Sequence, residues 1–320
     1  MTKPSEPLLS LNNVSVCFDT RHGELVVVDK LSLTVNRGEI LGLVGESGAG
    51  KSMTGLAVIG LLDEPGRLSS GEIWLDDRRI DTCPATVRGK SVSMIFQDPL
   101  TSLNPLRTIG DQLIETIQRH SHLSATEAMQ KADATLLDVG IDPKRRDEYP
   151  HAFSGGMRQR VVIALALSTD PDLIIADEPT TALDVSVQAQ ILNVLKDLCT
   201  KRGASVILIT HDMGVIAQTT DRVAVMYAGR LVELGPTTQV LSAPSHPYTQ
   251  GLMASTPTIA SALSGEPLHQ IPGSMPKLDA FPNGCTFHPR CPKAMDRCGQ
   301  ENPPQFANGV ACWLYEDASK

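Results

Sequence analysis

The octapeptide Gly45-Glu46-Ser47-Gly48-Ala49-Gly50-Lys51-Ser52 constrains this chain more than any other segment. It matches G-x-x-x-x-G-K-[ST], follows the short apolar run Ile40 to Val44, and opens a stretch that reads as a helix. Strand, glycine-rich loop and helix in that order form a phosphate cradle. Gly45, Gly48 and Gly50 let backbone N–H groups, Ser47 among them, turn inward around an anion. Lys51 adds a point charge for the outer phosphates, and Ser52 offers a hydroxyl to Mg²⁺. The N-terminus of the following helix adds a favourable dipole.

A second apolar run, Leu173 to Ala176, ends in the adjacent carboxylates Asp177 and Glu178. Two charges at the end of a buried strand are costly unless they meet a metal or a reacting water. Asp177 is the candidate for the Mg²⁺ shell. Glu178 is the candidate base that polarises an attacking water, a role worth ~10²–10⁴-fold when the base is well placed.

Composition narrows the remaining classes. The 320 residues carry 28 Lys plus Arg against 36 Asp plus Glu, a net charge of −8, which disfavours nucleic acid as a partner. The longest run of large apolar residues and Ala is the seven from Val161 to Leu167, against the ~20 needed to span a bilayer. The N-terminal MTKPSEPLLS lacks the apolar stretch of a signal peptide, so the expected location is the cytoplasm, with reduced thiols.

Residues 9–18 and 25–35 alternate apolar and polar as half-buried strands do. Residues 110–138 carry helical periodicity broken near Ser121 and Ser124, and Ser124 with Glu127 fits a capping box. Ser205 to Ile209 reads as another buried parallel strand. Twelve of the 22 prolines lie from Pro236 onward, so about 236–284 is expected to be an extended tail with one helix opening at Pro247.

Between the two motifs lies Phe153-Ser154-Gly155-Gly156-Met157, and here the chain resembles an ABC transporter ATPase. The phosphate loop, Gln97 in IFQDP, the Ser154-Gly155-Gly156 signature, Asp177 and Glu178, the Ala182-Leu183-Asp184 loop and His211 in LITHD follow in the family's order. Phe153 and Met157 depart from the commonest signature, LSGGQ, while its Ser-Gly-Gly core is intact. The resemblance, over about residues 8–235, implies a P-loop NTPase core of α/β class, an antiparallel β subdomain and a helical insert at about 98–160. Residues 1–235 are then the ATPase domain and 236–320 a Pro- and Cys-rich C-terminal tail.

The resemblance also implies roles. ATP and Mg²⁺ are the cofactors, with Ser52, Gln97 and Asp177 around the metal. His211 contacts the γ-phosphate, and Ser154, Gly155 and Gly156 face the nucleotide of an opposing cassette. Phe18 either stacks on adenine or belongs to the core.

Cys285, Cys291, Cys298 and Cys312 crowd the last 36 residues with spacing C-x₅-C-x₆-C-x₁₃-C. Spacing alone leaves a structural Zn²⁺, a [4Fe–4S] cluster and four free thiols open, since neither the usual zinc pairs nor ferredoxin runs are present. His288 is either a substitute ligand or a loop residue. APSHPYTQGLMASTP (243–257) and NGCTFHPRCPKAMDRC (283–298) resemble the tails of dipeptide and oligopeptide importer ATPases. That resemblance implies an iron–sulfur cluster at the four cysteines.

The expected function is therefore the ATP-hydrolysing motor of a dipeptide or oligopeptide importer on the cytoplasmic face of the inner membrane. Its expected partners are a second ABC ATPase in a heterodimer, two transmembrane permease subunits and an extracytoplasmic peptide-binding protein, with no nucleic acid. The alternatives are nickel or glutathione as cargo, or a soluble single-cassette ABC ATPase.

Overall fold

The computed structural model describes residues 7–21, 23–180, 184–257 and 269–319. In chain order the regular elements are β1 (Pro7–Thr20), β2 (Gly23–Asn36), β3 (Ile40–Val44), α1 (Lys51–Ile59), β4 (Gly66–Leu75), β5 (Arg78–Arg79) and β6 (Val92–Ile95). There follow α2 (Pro99–Ser102), α3 (Ile109–His120), α4 (Ala125–Asp138), α5 (Gly155–Leu167), β7 (Leu173–Asp177), α6 (Val185–Arg202) and β8 (Ser205–Ile209). The chain continues with α7 (Met213–Thr219), β9 (Arg222–Tyr227), β10 (Arg230–Pro236), α8 (Thr237–Ser242) and α9 (Pro247–Ser255). Among the described residues, no helix is long and apolar enough to cross a membrane.

The chain divides into two compact units. One contains residues 82–209. Its β6, β7 and β8 run parallel, with Val92 opposite Leu173 and Leu173 opposite Ser205. All five residues of β7 and of β8 are buried, which is why they read as unbroken apolar runs rather than alternating ones. The helical insert occupies the same unit. The break between α3 and α4 falls where the capping signal places it: the Ser124 hydroxyl accepts from the Glu127 N–H, and the Glu127 carboxylate takes the Ser124 N–H at 2.8 Å. Leu113 and Ile117 of α3 and Ala128, Ala132 and Leu136 of α4 supply the buried faces.

The other unit contains residues 9–34, 41–81 and 210–320. It holds the antiparallel sheet ordered β2-β1-β4-β5. It also holds β3 parallel to β9, with β10 antiparallel to β9. The proline-rich stretch thus belongs to the same compact unit as the phosphate loop. Pro247 opens a helix as expected, α9, but α8 precedes it, so the expected single helix is two among the described residues. At six residues, α8 is too short to show a helical period in the sequence. Near the C-terminus, Leu234 N–H donates to Gly309 C=O and Ala311 N–H to Val232 C=O, each at 2.8 Å, so this segment covers the edge of β10.

Tyr227, Tyr248 and Phe287 form an aromatic centre in this unit, with ring centroids 4.7 to 5.3 Å apart. They come from β9, α9 and the cysteine-rich segment. A chain with 4 % aromatics therefore concentrates three of its largest rings where tail and sheet meet.

Candidate nucleotide site

In the unit of residues 41–81 and 210–320, the loop after β3 turns back on itself before α1. Gly45 has φ +152°, and a Cβ there would lie 2.2 Å from the Met226 carbonyl oxygen, so only glycine fits. Gly50 caps α1 at φ 95°, also in the left-handed region. Lys51 is 7 % exposed, and its Nζ donates to the carbonyls of Gly45 at 2.8 Å and Glu46 at 3.1 Å. The ammonium is thereby folded over the loop. Ser47 and Gly48 stand exposed at the tip, and Ser52 is half-buried in the first turn of α1.

His211 lies exposed after β8 and lines a cavity of about 420 Å³ with Gly45, Asp212, Met213 and, from α9 and its end, Leu252, Ser255, Thr256 and Pro257. The structure thus brings His211 and the first loop glycine to one cavity. Phe18 is half-buried on β1, opposite Gly66. A Cβ at Gly66 would sit 2.8 Å from the Phe18 ring, so the ring lies over that glycine.

In the other unit, Asp177 ends β7 and is buried. Glu178 follows with φ +46°, a left-handed conformation uncommon for a non-glycine residue, and its N–H is held by the Ile209 carbonyl at 2.9 Å. This strained turn places the Glu178 carboxylate where Gln97 Nε2 donates to it at 3.2 Å. Gln97 and Glu178, 81 residues apart, are therefore direct partners.

Ser154 is the N-cap of α5, and its side chain makes no capping hydrogen bond. Gly155 and Gly156 form the first turn, where unsatisfied N–H groups favour an anion. A Cβ on Gly156 would approach Val187 of α6 to 2.5 Å, which accounts for the second glycine by close packing. The unusual flanks share one partner. Phe153 is 2 % exposed beneath the Arg145 guanidinium, whose carbon is 4.3 Å from the ring centre, and Arg145 Nη1 lies 3.4 Å from Met157 Sδ. Of the Ala182-Leu183-Asp184 motif, Ala182 and Leu183 lie outside the described residues. Asp184 accepts from the Val187 N–H and caps α6.

The family model described as ABC transporter matches residues 28–181, and the one described as oligopeptide/dipeptide transporter, C-terminal region, matches residues 232–298. The oligopeptide transport ATP-binding protein AppD of Bacillus subtilis is 46 % identical over 323 residues, covering 97 % of each chain. The chain belongs to the ABC transporter ATPases. The oligopeptide transport ATP-binding protein OppD of Salmonella typhimurium is 46 % identical over 308 residues, 94 % of this chain and 91 % of its own length. Among solved structures, cbiO1 of Clostridium perfringens, part of the ABC transporter complex cbiONQ, matches with TM-score 0.66 at 26 % identity over 75 % of this chain and 92 % of its own. The ATP-binding cassette MJ0796, in a dimeric post-hydrolysis state bound to ADP and Pi, matches with TM-score 0.64 at 27 % identity over 72 % and 98 % of the two chains.

This ABC ATPase makes contacts to its phosphate loop that the motifs do not reveal. Within Ser245-His246-Pro247-Tyr248 the sequence shows only the helix start at Pro247. His246 does cap α9, its Nδ1 accepting from the Tyr248 N–H at 3.0 Å. The Tyr248 hydroxyl, however, accepts the N–H of Glu46 in the phosphate loop at 2.9 Å. Arg290, from the cysteine-rich segment, reaches the Glu46 carboxylate. The signal in the sequence was Glu46 itself, since a carboxylate within a phosphate loop calls for a nearby cation.

At the four late cysteines, the expectation of a metal or cluster meets no preformed coordination site. Among the described residues, no group of three or more His, Cys, Asp or Glu is arranged to hold a metal ion. Burial pushes the Cys285 thiol up to about 11, with the neighbouring Cys298, Cys312 and Cys291 acting in the same direction and a hydrogen bond from the Phe287 N–H opposing. Burial likewise raises Cys291 and Cys312, each opposed by a backbone N–H two residues on, from Lys293 and Leu314. His288 Nδ1 lies 2.9 Å from the Cys285 carbonyl oxygen, and so serves the loop.

Proposed function

We propose that this chain is the ATP-hydrolysing motor subunit of a membrane importer for dipeptides or oligopeptides. The observation that carries the proposal is 46 % identity to an oligopeptide transport ATP-binding protein across 97 % of both chains, tail included. The match of residues 232–298 to the oligopeptide/dipeptide C-terminal region favours peptide over nickel or glutathione as cargo.

The residues divide the work by chemistry. Lys51 and the N–H groups of the loop hold the phosphates, and Ser52, Asp177 and Gln97 serve Mg²⁺. Glu178 accepts a proton from the attacking water while Gln97 orients it. His211 faces the γ-phosphate, and Phe18 stacks on the adenine ring. Ser154, Gly155 and Gly156 bind the nucleotide held by a second cassette, so two ATPase subunits close head to tail. Two transmembrane permease subunits dock on the helical insert, where Leu100 and Leu106 are exposed. An extracytoplasmic binding protein delivers the peptide, and the motor works at the cytoplasmic face of the inner membrane.

Cys285, Cys291, Cys298 and Cys312 are the residues that would hold an iron–sulfur cluster. Support comes from the resemblance of residues 283–298 to the tails of dipeptide and oligopeptide importer ATPases and from the four-thiol donor set. Such a group would supply a four-thiolate cross-link to the tail. Anaerobic purification with about four irons and four sulfides per chain supports the cluster; about one zinc without iron replaces it.

Uptake of a labelled dipeptide into cells that depend on this chain tests the function. Uptake is lost on Glu178→Gln substitution, while nickel and glutathione uptake are unchanged. Undiminished dipeptide uptake would refute the proposal.

A further inference from the structure

The phosphate loop carries an acidic residue at the second position of its motif. Glu46 sits one residue from Gly45 and five from Lys51, in a loop whose task is to attract phosphate. A carboxylate there opposes the bound anion unless its charge is compensated. The compensating cation comes from the far end of the chain. Arg290 Nη1 lies 3.1 Å from both carboxylate oxygens of Glu46.

Arg290 is itself fixed. Its side chain is 8 % exposed. Its Nε donates to the Pro272 carbonyl at 2.8 Å, and Nη1 lies 3.3 Å from the Tyr227 hydroxyl. Its guanidinium carbon is 5.7 Å from the Tyr227 ring centre and 6.0 Å from that of Phe287. The tail approaches the loop at two further points. Tyr248, fully buried, takes the Glu46 N–H, and Met275 Sδ would stand 3.7 Å from a Cβ on Gly48. Arg290 directly precedes Cys291, so the segment that carries the cysteines also delivers the counter-charge.

We propose that Arg290 is a positioning and charge-shielding residue of the nucleotide site, through which the C-terminal tail sets the affinity for ATP. By masking Glu46, Arg290 leaves Lys51 and the loop N–H groups as the net field seen by the phosphates. The proposal rests on residues 45–52 being the ATP phosphate loop.

The test is ATP binding to the full chain by displacement of a fluorescent ATP analogue, with turnover measured in parallel. Arg290→Gln weakens ATP binding about tenfold, within the usual range of coupling between sites, and appears in KM with kcat retained. The loss shrinks at high ionic strength, because the unmasked repulsion is screened. Adding Glu46→Gln to Arg290→Gln restores most of the affinity, since the carboxylate that needed masking is gone. Unchanged affinity in Arg290→Gln, or a double variant no better than the single one, would overturn the proposal. Should Arg290→Gln fail to fold, Glu46→Gln alone serves. It leaves a guanidinium beside the loop and must bind ATP at least as tightly as the parent, and weaker binding refutes the shielding role. Lys51→Ala separates the two layers. If it binds ATP normally, the phosphate-loop assignment fails; if it loses binding while Arg290→Gln does not, only the present inference fails.

Discussion

Gln97 Nε2 donates a hydrogen bond to Glu178 Oε2 at 3.2 Å, joining the segment that leads into the helical insert to the candidate catalytic carboxylate. Glu178 adopts the left-handed backbone, φ +46°, directly after β7 ends at Asp177. The hydrogen bond couples the position of Gln97 to that of the carboxylate proposed to polarise water.

Glu178→Gln is expected to bind ATP normally and to lose turnover by about 10²–10⁴-fold, the usual worth of a positioned base. Gln97→Ala keeps the base and loses its orientation. Its hydrolysis in the assembled transporter falls less than that of Glu178→Gln, but its stimulation by peptide cargo is lost. Phosphate release measured with and without cargo checks both. Parent-like turnover in Glu178→Gln would remove the residue from the mechanism.

The signature's unusual flanks act as one packing unit under Arg145. Phe153→Leu, which restores the commoner family residue, nearly conserves volume and is expected to cost under about 1.5 kcal/mol. Phe153→Ala opens a cavity and costs about 3–5 kcal/mol. Arg145→Ala removes the guanidinium from the ring and costs less than Phe153→Ala, because the cation is solvated. Chemical denaturation of the three variants gives the order directly. An Arg145→Ala loss as large as that of Phe153→Ala would contradict it.

His246 gives the fold a defined acid sensitivity. Burial pushes its pKa down from the ordinary imidazole value near 6.5 to about 3, and Nδ1 is occupied as acceptor of the Tyr248 N–H. The neutral ring is thus the native form. Its stabilising contribution is complete above pH 6.5 and declines as pH falls from 6.5 towards 3, by on the order of 1 kcal/mol per pH unit from this group. His246→Asn keeps an N-cap acceptor and removes the titration, so its stability declines less steeply through that window. Urea midpoints at several pH values read this out, and identical slopes in parent and variant would rule the histidine out as the cause.

Much of the site is local in sequence and was legible there. The strand–loop–helix around Lys51, the strand end at Asp177 and Glu178, the Ser124 capping box and the Pro247 helix start all follow from spacing over a few residues, and each stands where that spacing puts it. What escaped was short or distant. The helix α8 has too few residues to show a period, and the proline-rich tail gave no hint that Tyr248 and Phe287 would be buried to 0 % and 2 % exposure against β9. Nor did spacing alone decide the state of the four cysteines.

By itself, the sequence determined the chemistry of the parts: a loop that binds phosphate, a carboxylate pair, a signature turn and a cysteine-bearing tail. Only the tertiary structure decided which parts act on one another. Glu46 and Arg290 are 244 residues apart, and Gln97 and Glu178 are 81 apart. Backbone conformation is governed by near neighbours, so turns and helix starts leave a local signature. A charge pair across the fold leaves none, because its partner is chosen by packing: here an aromatic centre of Tyr227, Tyr248 and Phe287 that carries the tail to the phosphate loop.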